Sequence, residues 1–107
     1  MNLPDTIKNY LTSHTTRDLD GAMQWYTPDA EVTDDGKTYH GPDEIRAWLA
    51  NAATEYTYTT ELTATRQLDP NTYTATHHLK GNFPGGTADL DFTFTLRDNL
   101  IAKLAIS

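Results

Sequence analysis

The sequence contains no cysteine, few basic residues and no long apolar run, and each absence excludes a class of protein. Without cysteine there is no disulfide framework, thiolate zinc site or cysteine nucleophile. Eight lysines and arginines against fifteen acids give a formal charge of −7. This charge argues against nucleic acid or an anionic membrane as a partner, because both are bound through clustered basic residues. With neither a leader pattern nor a bilayer-length apolar stretch, we expect a soluble, cytoplasmic protein.

The apolar residues that are present suffice for one hydrophobic core. The chain has 107 residues, 37% of them hydrophobic, with no low-complexity segment and no internal repeat. We therefore predict a single domain that covers residues 1–107.

Helical periodicity dominates the first half of the sequence. Pro4 suits the first turn of a helix, and the residues after it form a stripe with helical spacing: Ile7, Tyr10, Leu11 and His14. Asp18 is a good capping residue for a second helix, whose predicted inward set ends with Tyr26 before Pro28.

A short strand and a third helix follow. Residues 30–34 read as a strand that ends with a single acid, Asp34, and Asp35-Gly36 forms a turn. Gly41-Pro42 then opens a helix whose apolar stripe contains Trp48.

The period changes to two in the second half. Four segments alternate between apolar and polar residues, with turn residues between them: 56–68, 72–80, 87–96 and 100–106. This spacing predicts an antiparallel meander whose apolar face is covered by the helices. The sequence therefore predicts an α+β fold, with three helices first and a four-strand meander after them.

The alternation assigns side chains to two faces of the predicted sheet. The inward positions that carry chemistry or large rings are Tyr56, Tyr58, Arg66, His77, Phe92 and Phe94. Arg66 lies near a strand end, from which its guanidinium can reach solvent. The outward face is rich in threonine and also carries Asp89 and Asp91.

These elements and several local motifs resemble the nuclear transport factor 2-like superfamily, in particular its SnoaL-like and ketosteroid isomerase-like branch. The motifs are an aromatic residue on helix one (Tyr10), the segment Trp25–Val32, Asp34, and the segment His40–Ile45. The resemblance covers essentially the whole chain. It implies a cone of curved antiparallel sheet that is capped by helices, with a pocket at its wide end and frequent pairing into homodimers.

The superfamily includes isomerases, cyclases, dehydratases and binding modules, so the fold leaves the chemistry open. In the isomerases, an Asp at the end of the first strand moves a proton while a helix-one Tyr donates to the enolate oxygen. Asp34 and Tyr10 occupy the matching places. The isomerases also have an inward acid on a late strand, whereas Asp89 and Asp91 are predicted to face outward. Half of the oxyanion hole is then missing, which counts against steroid isomerisation.

Each candidate residue also has a structural interpretation. Asp34 would cap the Asp35-Gly36 turn, and Tyr10 would fill the core. His77 is an auxiliary acid or base, as in the dehydratase branch, or a core histidine with a satisfied hydrogen bond. The remaining predicted pocket residues are large rings together with one histidine: His14, Trp25, Tyr26, Trp48, Tyr56, Tyr58, Phe92 and Phe94.

Two functions from different classes follow. The first is a cofactor-independent isomerase, cyclase or dehydratase that acts on a small, largely apolar carbonyl compound through Asp34, Tyr10 and His77. The second is a binding module that encloses a small apolar or aromatic ligand without chemistry. We predict no metal and no cofactor, because the sequence has neither a histidine pair at ligand spacing nor a Gly-rich phosphate loop. Pairing through the threonine-rich face predicts a homodimer, and a monomer with a solvated sheet is the alternative.

Overall fold

Three helices precede the long strands. The computed structural model describes residues 3–16, 18–34, 36–55, 58–82 and 85–107. The first elements are α1 (Asp5–Thr16), α2 (Leu19–Met23), β1 (Tyr26–Asp34), β2 (Lys37–His40) and α3 (Gly41–Glu55). The later elements are β3 (Tyr58–Asp69), β4 (Thr72–Gly81), β5 (Thr87–Arg97) and β6 (Leu100–Ile106). The predicted α+β fold, with helices first and a four-strand meander after them, is confirmed.

All six strands form one sheet in the order β2-β1-β6-β5-β4-β3. The meander β3 to β6 is antiparallel, and β1 joins it by pairing in parallel with β6. This pairing begins where the Ile101 amide donates to the Trp25 carbonyl at 2.7 Å. The last strand therefore holds the N-terminal hairpin in place.

The helices cover one face of this sheet. The largest fully buried side chains come from α1, α3 and the central strands: Tyr10, Phe94, Ile7, Ile45, Ile101, Leu104 and Val32. Burying one such aliphatic or aromatic side chain contributes about 1.5–3 kcal/mol. On β4, Ala75, His77 and Leu79 are buried at alternate positions, which shows that these side chains face the helices.

The boundary between α2 and β1 differs from the prediction. α2 ends at Met23, and Tyr26 is the first residue of β1 and lies opposite Ile101. The helical reading of Tyr26 is therefore wrong. Aromatic and β-branched residues suit a pleated strand, and the pairing with β6 outweighs the local helical spacing.

The hairpin partner β2 was not predicted from the sequence. Its four residues pair antiparallel with β1, with Tyr39 opposite Val32 and Lys37 opposite Asp34. Three of the four residues are exposed, so the strand lacks the strong apolar alternation that would reveal it.

A β-bulge in β3 corrects the predicted face of Arg66. Leu62 lies opposite His77, but the register shifts before Ala64, and Arg66 consequently lies opposite Thr74. The extra residue at the bulge moves the following side chains to the other face. Arg66 therefore belongs to the face away from the helices, where it is exposed.

Candidate functional site

Asp34 lies at the end of β1 on the side that faces α3. It alternates with Ala30 and Val32, which are both 0% exposed. The Trp48 indole on α3 donates from Nε1 to Asp34 Oδ2 at 3.0 Å. Among the described residues, no amide of the hairpin turn donates to this carboxylate. The side chain is therefore held by a hydrogen bond from helix α3.

Two aromatic rings flank this carboxylate. Tyr39 is opposite Val32 across the β1–β2 hairpin, and its ring centroid lies 6.2 Å from that of Trp48. The indole N–H holds Oδ2 of this carboxylate in one orientation. With Oδ2 held by the indole, Oδ1 is the oxygen that is suited to accept a proton.

A pair of buried phenols lies beneath α1. Tyr10 is 0% exposed, and the Tyr26 hydroxyl donates to the Tyr10 hydroxyl oxygen at 2.5 Å. The two rings meet edge to face with centroids 5.1 Å apart. Burial, reinforced by the neighbouring Tyr10 phenol, raises the pKa of Tyr26 well above its usual value, so Tyr26 is protonated at neutral pH.

His77 lies on β4, under α1. The residue is 7% exposed, and its ring lies 4.8 Å from the ring of Phe92. Its Nδ1 is fully buried and has no hydrogen-bond partner of standard geometry among the described residues. Loss of water lowers the pKa of His77, and the nearby backbone of Ala75 opposes this effect only in part. The imidazole is therefore neutral at physiological pH.

An open groove separates α1 from β3 and β4. Its volume is about 430 Å³, and its lining residues are Leu3, Lys8, Leu11, Thr12, Thr60, Leu62 and His77. Lys8, Leu11 and Thr12 have the i, i+3, i+4 spacing that places them on one face of the helix. The volume lies within the range of about 300–1,000 Å³ that is usual for small-molecule sites.

Aromatic contacts connect this groove to the phenol pair. The rings of His77 and Phe92 are 4.8 Å apart, those of Phe92 and Phe94 are 6.4 Å apart, and those of Phe94 and Tyr10 are 5.8 Å apart. Among the residues that the structure describes, neither Asp34 nor Tyr10 lines the groove itself. The three predicted catalytic residues thus occupy three separate places on the helix side of the sheet: Asp34 beside Trp48, Tyr10 beside Tyr26, and His77 in the groove.

The arrangement of a half-buried Asp, a helix-one Tyr and a capped sheet matches one family of proteins. The sequence model of the SnoaL-like domain matches residues 7–104. This chain belongs to the SnoaL-like family. No curated protein sequence matches it.

Solved structures are similar to this SnoaL-like protein over nearly its whole length. Protein SMa1630 of Sinorhizobium meliloti, provisionally named a polyketide cyclase, is 30% identical, with a TM-score of 0.92 over 98% of this chain and 95% of that chain. A Catenulispora acidiphila protein with a ketosteroid isomerase-like fold, in complex with trimethylamine, is 14% identical, with a TM-score of 0.85 over 99% and 86% of the two chains. Rv0760c of Mycobacterium tuberculosis, in complex with estradiol-17beta-hemisuccinate, is 16% identical, with a TM-score of 0.78 over 95% and 89%.

The late-strand acids of this SnoaL-like protein face away from the helices, as the alternation predicts. Asp89 lies opposite His78 and its Oδ1 is 2.7 Å from Nδ1 of that histidine. Asp91 lies opposite Thr76 and accepts a hydrogen bond from its hydroxyl at 2.7 Å. An inward second acid of the isomerase kind is therefore not supplied by either residue.

Several predicted pocket residues have other surroundings or lie outside the described part of the chain. Trp25 is half-buried against the core, and its Nε1 is buried with no partner among the described residues. Tyr56 and the side chains of His14 and Tyr58 fall outside the residues that the structure describes.

Of the seven described residues that line the groove, only His77 was a predicted site residue, and Lys8 and Leu62 show why the others were missed. Lys8 was missed because a lysine on a helix is usually a solvated surface residue. Its position three residues before Leu11, which places both on one face of α1, was the signal that could have identified it. Leu62 was assigned to the inward face without a role, and only the register with His77 places it in the groove.

No metal site or membrane span is found in the described part of the chain. Clusters of three or more histidine, aspartate or glutamate side chains with ligand geometry are absent there. None of the described helices has both the length and the apolar character that crossing a bilayer requires.

Proposed function

We propose that this SnoaL-like protein binds a small, largely apolar molecule in the groove between α1 and strands β3 and β4. The observation that carries this proposal is the neutral, buried imidazole of His77, which lies in a groove lined by leucines. A ligand that occupies the groove removes apolar surface from water around this imidazole.

The comparisons support the same class of function. Two structurally similar proteins are described in complex with estradiol-17beta-hemisuccinate and with trimethylamine, and a third is a computationally designed 17-OHP binder. All three are below 25% identity to this chain, so they support the capacity of the fold and do not identify the ligand.

Binding is tested with N-phenyl-1-naphthylamine, a neutral dye that fluoresces in apolar surroundings. Leu62→Trp places a larger ring in the groove, and we expect it to weaken dye binding at least tenfold. Leu68→Trp is the matched control, because Leu68 is on the same strand and is 49% exposed. Equal dye affinity in the two variants, with both folded by circular dichroism, would contradict binding in the groove.

Proton transfer by Asp34 is the second candidate function, and the Trp48 contact favours it. An indole N–H on Oδ2 orients the carboxylate, as a general base requires. In this proposal Asp34 Oδ1 removes a proton from the carbon next to a carbonyl group and returns it to another carbon. Tyr10 donates to the carbonyl oxygen, and its own oxygen is polarised by the hydrogen bond from Tyr26.

The proton-transfer proposal is tested by hydrogen–deuterium exchange on 2-tetralone, an apolar bicyclic ketone, in D2O. We expect Asp34→Asn to remove the protein-catalysed exchange and Trp48→Phe to lower it by roughly 10²-fold, which is within the usual range for acid–base groups. Asp89→Asn is the control, because this acid faces the other side of the sheet. Exchange that persists in Asp34→Asn would exclude Asp34 as the base and leave the binding proposal standing.

We also propose that two copies of the chain pair through the outer face of the sheet, defined by Thr74, Thr76, Thr93, Asp91 and Ala105. These residues form consecutive cross-strand pairs on β4, β5 and β6. Small, moderately polar side chains suit a surface that contacts either water or a second sheet.

A further inference from the structure

Lys8 is the sole charged side chain among the described residues that line the groove. It is exposed, and no carboxylate in the described part of the chain lies within the 4.0 Å of a salt bridge. Asp5, one turn earlier on α1, is therefore not its partner. None of the described residues therefore supplies a paired counter-charge for Lys8 at the groove.

Lys8 differs from the other basic residues in its position and not in lacking an ion pair. Among the described lysines and arginines, only Arg46 and Arg97 pair with acids, Asp20 and Asp29. None of the described residues that line the groove is an acid, although the chain contains fifteen. An anion that approaches this protein is therefore repelled by most of the surface but attracted at the groove.

The burial of the remaining lining residues determines where in the groove the charged group of a ligand can bind. His77 is neutral and almost fully buried, and Leu3, Leu11 and Leu62 provide apolar walls. A charged group at the His77 end would lose its water without an ionic partner, which is strongly unfavourable. Next to Lys8, the same group stays hydrated and gains an ionic contact.

We propose that the ligand of this groove is an amphipathic anion, an apolar molecule that carries a single acidic group. The apolar body lies against the leucines, and the carboxylate or sulfonate lies at Lys8. This inference rests on the proposed function, because it names the ligand class of the same groove.

The test compares two dyes that share one apolar body. 8-Anilinonaphthalene-1-sulfonate carries a sulfonate, and N-phenyl-1-naphthylamine is the same ring system without it. The quantity measured is the ratio of their dissociation constants in wild type, in Lys8→Met and in Lys103→Met. Methionine retains an apolar stem at position 8, and Lys103→Met removes the same charge from β6, where Lys103 lies opposite Thr95 on the outer face.

We expect Lys8→Met to weaken binding of the sulfonate dye relative to the neutral dye by roughly two- to fivefold, the effect of one partly exposed ion pair. Salt at about 0.5 M should produce the same loss in wild type by screening the charge. Lys103→Met should leave the ratio of the two constants unchanged.

The outcomes separate the two proposals. If the neutral dye binds and Leu62→Trp blocks it, but the ratio is equal in wild type and Lys8→Met, the anionic class is wrong and the groove remains a binding site. If Leu62→Trp affects neither dye, the proposed function fails and the inference fails with it.

Discussion

The imidazole of His77 makes the stability of the fold sensitive to acid. Because burial lowers the pKa of His77 in the folded state, the unfolded chain takes up this proton first as the pH falls. Stability from this residue is therefore complete above about pH 6.5 and is lost as the pH falls below that value.

We expect His77→Leu to reduce this acid-dependent loss. The leucine keeps an apolar contact with Phe92 and removes both the titrating group and a buried nitrogen without a partner. Urea unfolding at about pH 5 and about pH 7.5 measures the difference in unfolding free energy for each variant. His78→Gln, on the opposite face, is the control. A difference that is the same in wild type and His77→Leu would refute the assignment.

The buried phenol pair predicts the opposite pH response. Burial and Tyr10 raise the pKa of Tyr26, so the unfolded chain loses this proton first, and stability falls as the pH rises above about 10. Tyr26→Phe should cost roughly 1–2 kcal/mol at neutral pH, because the buried Tyr10 oxygen loses a donor. It should also make the alkaline loss of stability smaller. Urea unfolding at neutral pH and above pH 10 tests both effects, with Tyr39→Phe as the half-buried control.

At the scale of elements, the β3 bulge determines which residues face the groove. Deleting Thr63 would restore regular alternation and turn Ala64 and Arg66 toward the helices. We expect a loss of roughly 2 kcal/mol or more in unfolding free energy, because a guanidinium would enter an apolar site. The control is Thr63→Ala, which removes only the exposed hydrogen bond to the Thr76 carbonyl at 3.2 Å and should change stability by less than about 0.5 kcal/mol. A deletion that is no worse than this control would mean that the bulge has no role in register.

Sequence periodicity predicts these elements where their determinants are local. The stripe from Ile7 on α1 and the alternation of β4 and β5 each bury one face, and both were predicted correctly. Tyr26 was assigned wrongly because its strand partner, Ile101, is distant in the chain. Arg66 was assigned to the wrong face of the sheet because a one-residue bulge cannot be read from the composition of a strand, although it turns the side chains that follow it to the opposite face.

The residues of the candidate site were likewise predictable only where a local sequence pattern determines their position. Period two placed His77 on the inward face of β4, where it is buried with Ala75 and Leu79. The bond from Trp48 to Asp34 depends on how α3 crosses β1, and the groove at Lys8 depends on the gap between α1 and β3. Neither the crossing of α3 over β1 nor the gap between α1 and β3 is encoded in a local sequence pattern, so both could be found only in the folded structure.

At the scale of the whole molecule, the outer face is more tightly packed than a solvated sheet requires. Thr74 faces away from the helices but is only 7% exposed. Its hydroxyl lies 3.2 Å from that of Thr93, so the two residues form a closed polar pair on the surface. Ala105, which lies opposite Thr93 on β6, adds only a methyl group to this face.

Pairing through this face predicts that wild type sediments as a dimer of about 24 kDa, twice the 12.0 kDa mass of the chain. Thr93→Arg places a long side chain on both copies at the centre of the proposed interface and should shift the population to monomer, because its bulk keeps the two sheets apart. Ala47→Arg adds the same charge at an exposed position on α3 and should remain dimeric. Sedimentation equilibrium distinguishes the species directly. A wild-type monomer at the highest soluble concentration would exclude pairing and leave the threonine-rich face as a solvated surface.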